Sequence, residues 1–386
     1  MKHSLKASAG EHERMPHAPF FILRCLLVIA VIFTHFPLCR GENTVVVLGD
    51  SAGTHLSIDL NGGAFCDFRL AENLCNPFSW KAALAEMPLN KRNGAVEQGH
   101  FLCLGRWGSP TAGEIKAGVP HHGQASNRLW EVVSLSGDSL LTFSITTPLD
   151  GVTVERTVLF DKDHAIFKVA DNIRSTISIG RLFNIVQHGT VGPPFLTPST
   201  IIDSNADEGF MQHLAYPDPH KHARKWPDAK IDTLGRTVNL SRTDGTENYV
   251  ASCLFSEDTG WITASTPEKG ILIGYLWKTV EYPWLNLWHY TRDGAPWAKG
   301  LEFGTTGIGR SYQDLLAVDA RFHGKSSFFF LDALENVKKS FLCFQVTIPA
   351  DYKGVKELKM EGNRIVLVEK ETSRPRKITI ENKFIL

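Results

Sequence analysis

Three segments far apart in the chain each place one proton-transfer side chain among turn residues. The segments are P-H-H-G-Q-A-S-N-R-L-W at 120–130, F-N-I-V-Q-H-G-T-V-G-P-P-F at 183–195 and G-L-E-F-G-T-T-G at 300–307. If one fold brings them together, His122, His188 and Glu302 face a common cleft. Two histidines and a carboxylate are the minimum set of groups for general acid–base chemistry on a neutral polyol.

Each of these three residues also has a structural explanation. A histidine in a turn, as at His122, more often lies at the surface, and His188 at the end of an apolar run fits a strand-capping role equally well. Glu302 alternates with Leu301 and Phe303, and a partly desolvated pocket would raise its pKa and make it a base near neutral pH. The alternative for Glu302 is a solvated glutamate on a strand.

An aromatic cluster lies just upstream of Glu302 and supplies further candidate contacts. It contains Trp284, Trp288, Tyr290 and Trp297. Flat aromatic faces surrounded by hydrogen-bonding groups suit the apolar face of a pyranose ring, although the core of a β-sandwich uses the same residue types. We therefore expect part of this cluster to contact a ligand, and Trp288 is the predicted substrate-binding residue.

Alternation of apolar and polar residues is the main structural signal from residue 44 onward. Over 152–160, Val152, Val154 and Phe160 share one face and Glu155 lies on the other, which predicts a half-buried antiparallel strand. Similar runs cover 44–48, 140–147, 165–170, 177–186, 249–255, 271–277, 328–331, 341–348 and 364–368. Helical signals are confined to two short segments, 312–318 and 332–338. The chain is therefore predicted to be mainly β.

The predicted strands belong to one large unit. No fixed-period repeat indicates a propeller or a solenoid, and no long low-complexity linker divides the chain after residue 41. We expect residues 42–386 to fold as a single large antiparallel β-sandwich. Two further strands after about residue 353 are expected to close one edge of a sheet.

The first 41 residues are typical of a targeting segment. Basic residues precede an unbroken apolar run at 25–33, and small residues follow around Gly41. The run is too short to cross a bilayer comfortably, since a spanning helix needs roughly 20 apolar residues. We expect export to the periplasm or the extracellular space after cleavage near Gly41. The alternatives are a membrane anchor formed by residues 20–38 and a cytoplasmic protein with an extended start.

Composition excludes several classes of function. Lys and Arg number 41 and Asp and Glu also number 41, so no strong field steers a polyanion or holds a membrane surface. Nucleic acid is therefore not an expected partner, and a membrane is one only if the N-terminal segment stays uncleaved. The G-x-S-x-G match, G-D-S-A-G at 49–53, follows the predicted strand at 44–48 with no helical signal after it, so it lacks the strand–turn–helix context of a nucleophile elbow. The sequence contains no glycine loop that cradles phosphates, and neither a serine hydrolase nor a nucleotide-binding protein is expected.

Metal-binding spacings are weak. The five cysteines after Gly41 show no C-x-x-C spacing, which argues against a zinc ribbon. His213, His220 and His222 could chelate zinc, but their Pro-rich stretch offers no rigid frame. We expect neither a metal nor an organic cofactor.

The segment around His122 is similar to a stretch of aldose 1-epimerase-like proteins. Their pattern H-G-x-x-R-N-x-x-W-x-V resembles P-H-H-G-Q-A-S-N-R-L-W-E-V here, although Ser126 stands where the pattern has arginine. The segment at 183–195 resembles their second histidine segment, and 300–307 resembles the glutamate segment near the end of that fold. Two early runs also resemble members of the galactose mutarotase-like superfamily, N-P-F-S-W-K at 76–81 and G-H-F-L-C-L-G-R-W at 99–107.

The resemblance implies a β-supersandwich with a sugar-binding cleft across one sheet, and a mutarotase mechanism. Glu302 would take the proton from the anomeric hydroxyl while His188 protonates the ring oxygen; the ring opens, the C1–C2 bond rotates and closure gives the other anomer. His122 would assist binding and charge balance, and no cofactor is needed because only protons move. The further residues implied to bind the substrate are Asn76, Arg106, Asn127 and Gln187.

Two other functions stay open on the sequence. The first is a binding module that kept the cleft without the chemistry and recognises glycans. The second is a larger carbohydrate-processing enzyme, a lyase or hydrolase, which an open groove would favour. In each case the partner is a small sugar or a glycan end. The low basic excess near the motifs argues mildly against a sugar phosphate, since phosphate recognition usually recruits Arg or Lys pairs, and the sequence leaves the oligomeric state open.

Overall fold

Short antiparallel strands dominate the chain, as the alternating pattern predicts. The computed structural model describes residues 44–89, 91, 93–370 and 373–386. The strand predicted over 152–160 is present as Val152–Asp161, with its valines buried and Glu155 exposed. The predicted signal segment at 1–41 lies outside the described residues, so export stays a prediction. Within the described ranges, no helix has the length and apolar character needed to span a membrane.

The helical segments and the first strands are short. The strands in the first half of the chain are β1 (Val45–Gly49), β2 (His55–Asp59), β3 (Ala64–Arg69), β4 (His100–Leu104), β5 (Glu131–Ser136), β6 (Leu140–Thr147), β7 (Val152–Asp161), β8 (Ile166–Ser175), β9 (Arg181–Phe183) and β10 (Ile185–Val191). The helices are α1 (Ala112–Lys116) and α2 (Tyr312–Ala317), with 3-10 turns at Pro77–Ser79, Gln212–Leu214, Pro219–His222 and Pro267–Lys269.

The second half of the chain continues the same pattern. Its strands are β11 (Ile201–Ser204), β12 (Ala206–Met211), β13 (Arg224–Lys225), β14 (Asp228–Lys230), β15 (Thr237–Asn239), β16 (Tyr249–Phe255), β17 (Thr259–Thr266), β18 (Ile271–Lys278), β19 (Trp284–Arg292), β20 (Ala295–Gly304), β21 (Phe329–Leu331), β22 (Asn336–Thr347), β23 (Val355–Glu361), β24 (Arg364–Glu369) and β25 (Lys377–Glu381).

Two large antiparallel sheets pack against each other. The first sheet has the order β1-β2-β3-β4-β10-β20-β19-β16-β12-β13, and the second has the order β11-β17-β18-β22-β8-β7-β6-β5. Their facing sides share one apolar core, in which Phe65 stacks on Phe167 and Phe303 stacks on Trp277. Both sheets therefore bury one face in the same layer, as a β-sandwich does. The predicted mainly-β sandwich is confirmed.

The first sheet presents different residues on its two faces, because successive side chains of a strand point in opposite directions. His188 on β10 pairs with Glu302 on β20, and Glu302 pairs with Asn286 on β19. These three residues form a row across the outer face, away from the second sheet. Gln187 points to the inner face, where it contacts Asp171 of the second sheet.

One predicted helix is absent. The prediction for 312–318 agrees with α2, but the helix predicted over 332–338 is wrong. Asp332 and Glu335 bond backbone N–H groups in a turn, and Leu334 has φ 58°. From Asn336 onward the chain pairs with β8, so long-range strand pairing overrides the local helical preference.

The C-terminal strands also differ from the prediction. Three strands, β23 to β25, form a sheet of their own instead of two strands that close an edge. Leu358 and Leu367 of this sheet pack on Leu342 and Phe344, which lie on the side of the second sheet that faces away from the sandwich core. The tail therefore covers an apolar face that would otherwise meet water.

Candidate active site

A cavity of 610 Å³ opens on the outer face of the first sheet, above the row of His188 and Glu302. It brings together four of the predicted residues, namely His122, His188, Glu302 and Trp288. We call the part around Glu302 and the two histidines the acid–base end. The part lined by four aromatic residues is called the aromatic end, and these are Trp80, Trp288, Tyr290 and Trp297.

Glu302 and His188 form the floor of the acid–base end. Oε1 of Glu302 lies 3.3 Å from Nε2 of His188. The indole N–H of Trp107 donates to Oε2 of Glu302 at 2.8 Å, and Nδ1 of His188 lies 3.0 Å from the Thr190 hydroxyl oxygen. The Phe101 ring stacks on the imidazole of His188 with ring centroids 4.4 Å apart. These contacts hold a carboxyl oxygen and an imidazole nitrogen side by side.

Burial sets the protonation of this pair. Glu302 is 1% exposed and His188 is 5% exposed, and burial disfavours the charged form of each. Burial raises the pKa of Glu302 to about 8, against the opposing effect of the Trp107 hydrogen bond, and lowers the pKa of His188 to about 3. At neutral pH the pair therefore holds one proton, on Glu302. His188 is then neutral and can donate from Nδ1 to Thr190, which leaves Nε2 as an acceptor.

His122 reaches the cavity through a turn with unusual backbone geometry. Its φ is 60°, in the left-handed region that non-glycine residues rarely adopt. At Gly123, with φ 80°, an added Cβ would lie 2.0 Å from the Leu104 carbonyl oxygen, so this position requires glycine. The Gly108 N–H donates to Nδ1 of His122 at 3.1 Å, which places the ring proton on Nε2. Burial, reinforced by the neighbouring His121, holds the pKa of His122 well below its usual range.

A buried ion pair forms the wall beside His122. Oε1 of Glu97 lies 3.0 Å from the Lys91 ammonium and 3.1 Å from Nδ1 of His121. Lys91 is fully buried and also donates to the His121 carbonyl oxygen and the Ser126 hydroxyl. Burial favours the neutral carboxyl, but the His121 hydrogen bond and the Lys91 ammonium hold the pKa of Glu97 well below its usual range. Glu97 therefore brings a negative charge to the cavity.

Among the described residues, Glu97, His121 and His122 of this wall form the cluster whose spacing could suit a metal ion. The ligand atoms of Glu97, His121 and His122 lie within 4.8 Å of one another. Two features of the donor set oppose a metal. The Lys91 ammonium already contacts the Glu97 carboxylate, and Nε2 of His122 carries a proton because Nδ1 accepts a backbone N–H. The group is better suited to hydrogen bonding than to metal coordination.

The zinc site considered for His213, His220 and His222 does not form. Within the described ranges, these three residues belong to no cluster with metal-ligand geometry. Nε2 of His213 bonds the Ile231 carbonyl oxygen, and the His220 ring lies 5.0 Å from the His323 ring. Their stretch wraps over the surface without bringing the imidazoles together.

The aromatic end extends away from His188 in a continuous series of rings. The Trp288 ring centroid lies 6.2 Å from that of His188, the Tyr290 centroid lies 6.1 Å from Trp288, and the Trp297 centroid lies 5.8 Å from Tyr290. Trp80 packs edge-on against both Trp288 and Trp297, at 5.4 and 5.6 Å. Trp288 therefore joins the acid–base end to the rest of the aromatic surface.

Two predicted substrate-binding residues instead make structural contacts. Gln187 is adjacent to His188 in β10 and so points into the sandwich core, where its amide donates to Asp171 and Tyr282. Asn76 caps the 3-10 turn at Pro77–Ser79, since its Oδ1 accepts the Phe78 N–H at 2.9 Å. Neither Gln187 nor Asn76 lines the cavity.

The other two predicted contacts also lie outside the cavity lining. Arg106 forms a hydrogen-bonded ion pair with Glu114, and its guanidinium lies over the Tyr312 ring. Asn127 donates its side-chain amide to the Lys91 carbonyl oxygen at 3.2 Å. Both residues support segments next to the cavity and do not face its interior.

Sequence reasoning missed Glu97 and Trp107. Glu97 lies in the irregular segment before β4, which carries no alternation that predicts a face. Trp107 lies between Gly105 and Gly108, which have φ values of 75° and 81°. A tryptophan held between two glycines of this kind is the one local signal that could have indicated a functional turn.

Comparisons with known proteins address the fold. No family model and no curated protein sequence matches the chain. Among solved structures, a galactose mutarotase related enzyme from Lactobacillus acidophilus has a TM-score of 0.58 at 11% identity, covering 82% of this chain and 100% of its own. A galactose mutarotase-like protein from Lactobacillus casei ATCC 334 has a TM-score of 0.53 at 13% identity, covering 78% of this chain and 100% of its own.

A third solved structure is similar in fold to this chain. It is a provisionally assigned aldose 1-epimerase from Klebsiella pneumoniae, with a TM-score of 0.57 at 13% identity, covering 79% of this chain and 80% of its own. Sequence identities this low establish a shared fold and leave activity to be argued from the site itself. The chain has the fold of the galactose mutarotase-like superfamily.

Proposed function

We propose that this protein is an aldose 1-epimerase-like isomerase that interconverts the anomers of neutral sugars by general acid–base catalysis. The observation that carries the proposal is the contact of 3.3 Å between Oε1 of Glu302 and Nε2 of His188 on the cavity floor. The two oxygens that exchange protons during ring opening, the anomeric hydroxyl and the ring oxygen, are bonded to the same carbon. An acid and a base that are direct neighbours can therefore serve both oxygens at once.

The pair supplies the one proton that ring opening needs. At neutral pH this proton resides on Glu302, while His188 offers a lone pair on Nε2. With this distribution His188 takes the proton of the anomeric hydroxyl and Glu302 protonates the ring oxygen, which reverses the roles implied by the family resemblance. Ring opening leaves His188 as an imidazolium and Glu302 as a carboxylate. On ring closure the imidazolium protonates the new anomeric oxygen, and the carboxylate takes back the proton of the attacking hydroxyl. The pair is thus restored after each turnover.

His122 and Glu97 assist without exchanging protons. Nε2–H of His122 is a neutral donor close to the pair, since the His122 and His188 ring centroids are 4.9 Å apart. It can bond the carbonyl oxygen of the open-chain sugar after the C1–C2 bond rotates, where developing negative charge needs a donor. The charged carboxylate of Glu97 can accept from a sugar hydroxyl. The predicted contact Trp288 offers an aromatic face beside the ring.

The cavity's charge favours a neutral substrate. Among the described residues that line it, none is Lys or Arg, and three are glutamates, Glu86, Glu97 and Glu302. At neutral pH Glu302 is protonated and Glu86 is paired with Arg292, so Glu97 carries the negative charge closest to the histidines. A sugar phosphate would place its dianion near this carboxylate with no cation among the described lining residues. The substrate class we propose is therefore an unphosphorylated aldose.

Exchange spectroscopy tests the proposal directly. We would measure the rate of α to β exchange by NMR for glucose, galactose and other neutral aldoses, with wild type beside Glu302→Gln and His188→Gln. Glu155→Gln and His164→Gln are matched controls, because both residues are exposed on other strands or turns. We expect wild type and controls to accelerate exchange for at least one sugar, and each active-site variant to lose about 100- to 10,000-fold.

The same samples identify the main alternative. If no sugar exchanges faster with wild type, yet sugar resonances broaden on addition of the protein, the isomerase proposal is wrong and the cavity belongs to a binding module. Equal acceleration by wild type and Glu302→Gln would also overturn it.

A further inference from the structure

The cavity is larger than a single sugar ring requires. Its 610 Å³ would hold about twenty water-sized groups at roughly 30 Å³ each, whereas a hexose has about twelve non-hydrogen atoms. The extra room lies along β19. Asn286, which pairs with Glu302, and Tyr290 are four residues apart on this strand, about 13 Å at about 3.3 Å per residue. A single pyranose ring at Glu302 does not reach Tyr290.

The far part of the aromatic end has the features of a sugar subsite. Tyr290 is 37% exposed, so its ring is accessible from the cavity mouth. Beside it, the Arg292 guanidinium covers one face of Trp297 at 3.8 Å and bonds Glu86 at 2.6 Å. Glu86 itself lines the cavity. An accessible aromatic face next to a paired carboxylate and guanidinium offers stacking together with acceptors and donors for ring hydroxyls.

Burial distinguishes this part from ordinary core packing. Trp284 also belongs to the aromatic cluster found in the sequence, but it does not line the cavity. It is fully buried and packs on Phe210 and Phe322 in a separate apolar cluster. Trp288 and Tyr290 follow it on the same strand, yet both remain partly open toward the cavity. Aromatic surface left open beside a polar site marks a place where a ligand packs.

We propose that the aromatic end is a subsite for a second pyranose ring, so that the substrate is the reducing end of a neutral oligosaccharide of two or more rings. This rests on the proposed function. The reducing ring occupies the acid–base end, and Trp288 lies at the junction of the two rings. The second ring stacks on Tyr290 and bonds through its hydroxyls to Glu86, whose carboxylate is held by Arg292. Further rings extend through the cavity mouth into solvent.

A comparison of kcat/KM between monosaccharides and disaccharides tests the subsite. We would measure kcat/KM for anomer exchange with glucose and galactose, and with maltose, cellobiose and lactose, for wild type and Tyr290→Ala. Phe330→Ala is a matched control, because Phe330 is 60% exposed on β21, away from the cavity. We expect at least one disaccharide to exceed its reducing-end monosaccharide, and Tyr290→Ala to reduce that ratio about tenfold while Phe330→Ala leaves it unchanged.

A binding measurement separates the subsite from the chemistry. Glu302→Gln would be titrated with the same sugars, with tryptophan fluorescence as the readout. Tighter binding of a disaccharide that depends on Tyr290, with no exchange by wild type, would support the subsite while refuting the proposed function. Exchange of monosaccharides with no preference for any disaccharide, or an equal loss for both classes in Tyr290→Ala, would refute the subsite while the proposed function stands.

Discussion

Gln187 and His188 are neighbours in β10, yet their side chains enter two different buried environments. Gln187 points to the inner face, into a polar network between the two sheets. His188 points to the outer face, into the cavity. Both side chains are almost fully buried, and both environments contain ionisable groups. The comparison between them shows how the same sheet holds some buried polar groups for stability and others for chemistry.

On the inner face the ionisable groups pair with one another, although Nη1 of Arg156 has no hydrogen-bond partner among the described residues. Arg156 donates to both carboxylate oxygens of Asp171, at 2.7 and 2.8 Å, and both residues are almost completely buried. Gln187 donates to Asp171 and to the Tyr282 hydroxyl, each at 3.0 Å. Nε2–H of His100 donates to the side-chain oxygen Oε1 of Gln187, which fixes the neutral tautomer of His100. Here burial is compensated by a bidentate ion pair and its hydrogen bonds.

On the outer face the compensation is incomplete. Oε2 of Glu302 accepts a hydrogen bond from Trp107, and Nδ1 of His188 contacts the Thr190 hydroxyl. Oε1 of Glu302 and Nε2 of His188 contact each other and face the cavity. No cation contacts Glu302 among the described residues. Burial therefore shifts the pKa values of this pair strongly, because nothing of opposite charge offsets the loss of water. An ionisable group that is buried without an opposite charge therefore remains free to exchange a proton with a substrate, whereas a group held in an ion pair does not.

The largest effect on stability is expected on the inner face. Asp171→Ala leaves the Arg156 guanidinium buried without its anion and should lower the free energy of unfolding by about 3–5 kcal/mol. The double variant Arg156→Met/Asp171→Leu removes both charges and should recover most of that loss. Urea unfolding of wild type and both variants measures the difference. If the single and the double variants are equally unstable, the ion pair contributes packing and not charge compensation.

On the outer face the expected change has the opposite sign. The folded pKa of Glu302, about 8, exceeds its ordinary value of 4.5, so its contribution to stability is fully present below pH 4.5 and is lost as the pH rises to about 8. Glu302→Gln cannot ionise and escapes this loss. We expect the variant to become more stable than wild type, by up to a few kcal/mol, as the pH rises across this window. Thermal unfolding at several pH values checks this, with exposed Glu155→Gln as the control. A stability difference that does not change with pH would contradict the assigned pKa.

Local sequence patterns predicted strands whose alternating burial is visible in neighbouring residues, and they failed where contacts distant in sequence decide the structure. Alternation identified β7 and some of the other strands, such as β6, β16 and β18, because period-two burial depends on neighbouring residues. The runs predicted in this way did not include β19 or β20, which carry the site. The helix predicted at 332–338 failed because Asn336 and the residues after it pair with β8, more than a hundred residues away in sequence. The C-terminal sheet was incompletely predicted for a related reason. The apolar surface it covers belongs to strands of the second sheet.

The cavity could be predicted in part. Glycine-rich turns and strand ends drew attention to His122, His188 and Glu302, and the fold brings these residues together. Gln187 was placed at the substrate although strand alternation assigns neighbouring residues to opposite faces. Arg156 shares the inward phase of β7 with buried valines, which was an available signal for a buried ion pair. Glu97 reaches the cavity from an irregular segment whose position depends on contacts distant in sequence.

Two glycines on paired strands allow the faces to be compared with one kind of substitution. An added Cβ at Gly189 would lie 2.7 Å from the Tyr275 hydroxyl on the inner face, and one at Gly300 would lie 2.6 Å from Oε1 of Glu302 on the outer face. We expect Gly189→Ala to cost about 1–3 kcal/mol of stability by overpacking the core. Gly300→Ala should displace Glu302 and lower kcat about tenfold or more, with a smaller loss of stability.

Unfolding and turnover measured on both glycine variants test this division. If Gly189→Ala lowers kcat as strongly as Gly300→Ala once unfolded protein is accounted for, the two faces are coupled. The inner face would then contribute to catalysis as well as to stability.

The smallest expected effect concerns the hydrogen bond that Glu302 accepts from Trp107. The indole N–H of Trp107 favours the charged carboxylate and so opposes the rise of the Glu302 pKa. Trp107→Phe keeps an aromatic ring but removes that donor, so the pKa should rise further, by about one unit for a hydrogen bond of about 1 kcal/mol. Since the proposed reaction needs the proton of the pair, kcat/KM in wild type should fall above about pH 8, and this alkaline limb should move upward in the variant. Trp261→Phe, on the far side of the second sheet, should leave the limb in place. An alkaline limb that is unmoved in Trp107→Phe would mean that a group other than Glu302 controls it, and that the outer face holds its proton elsewhere.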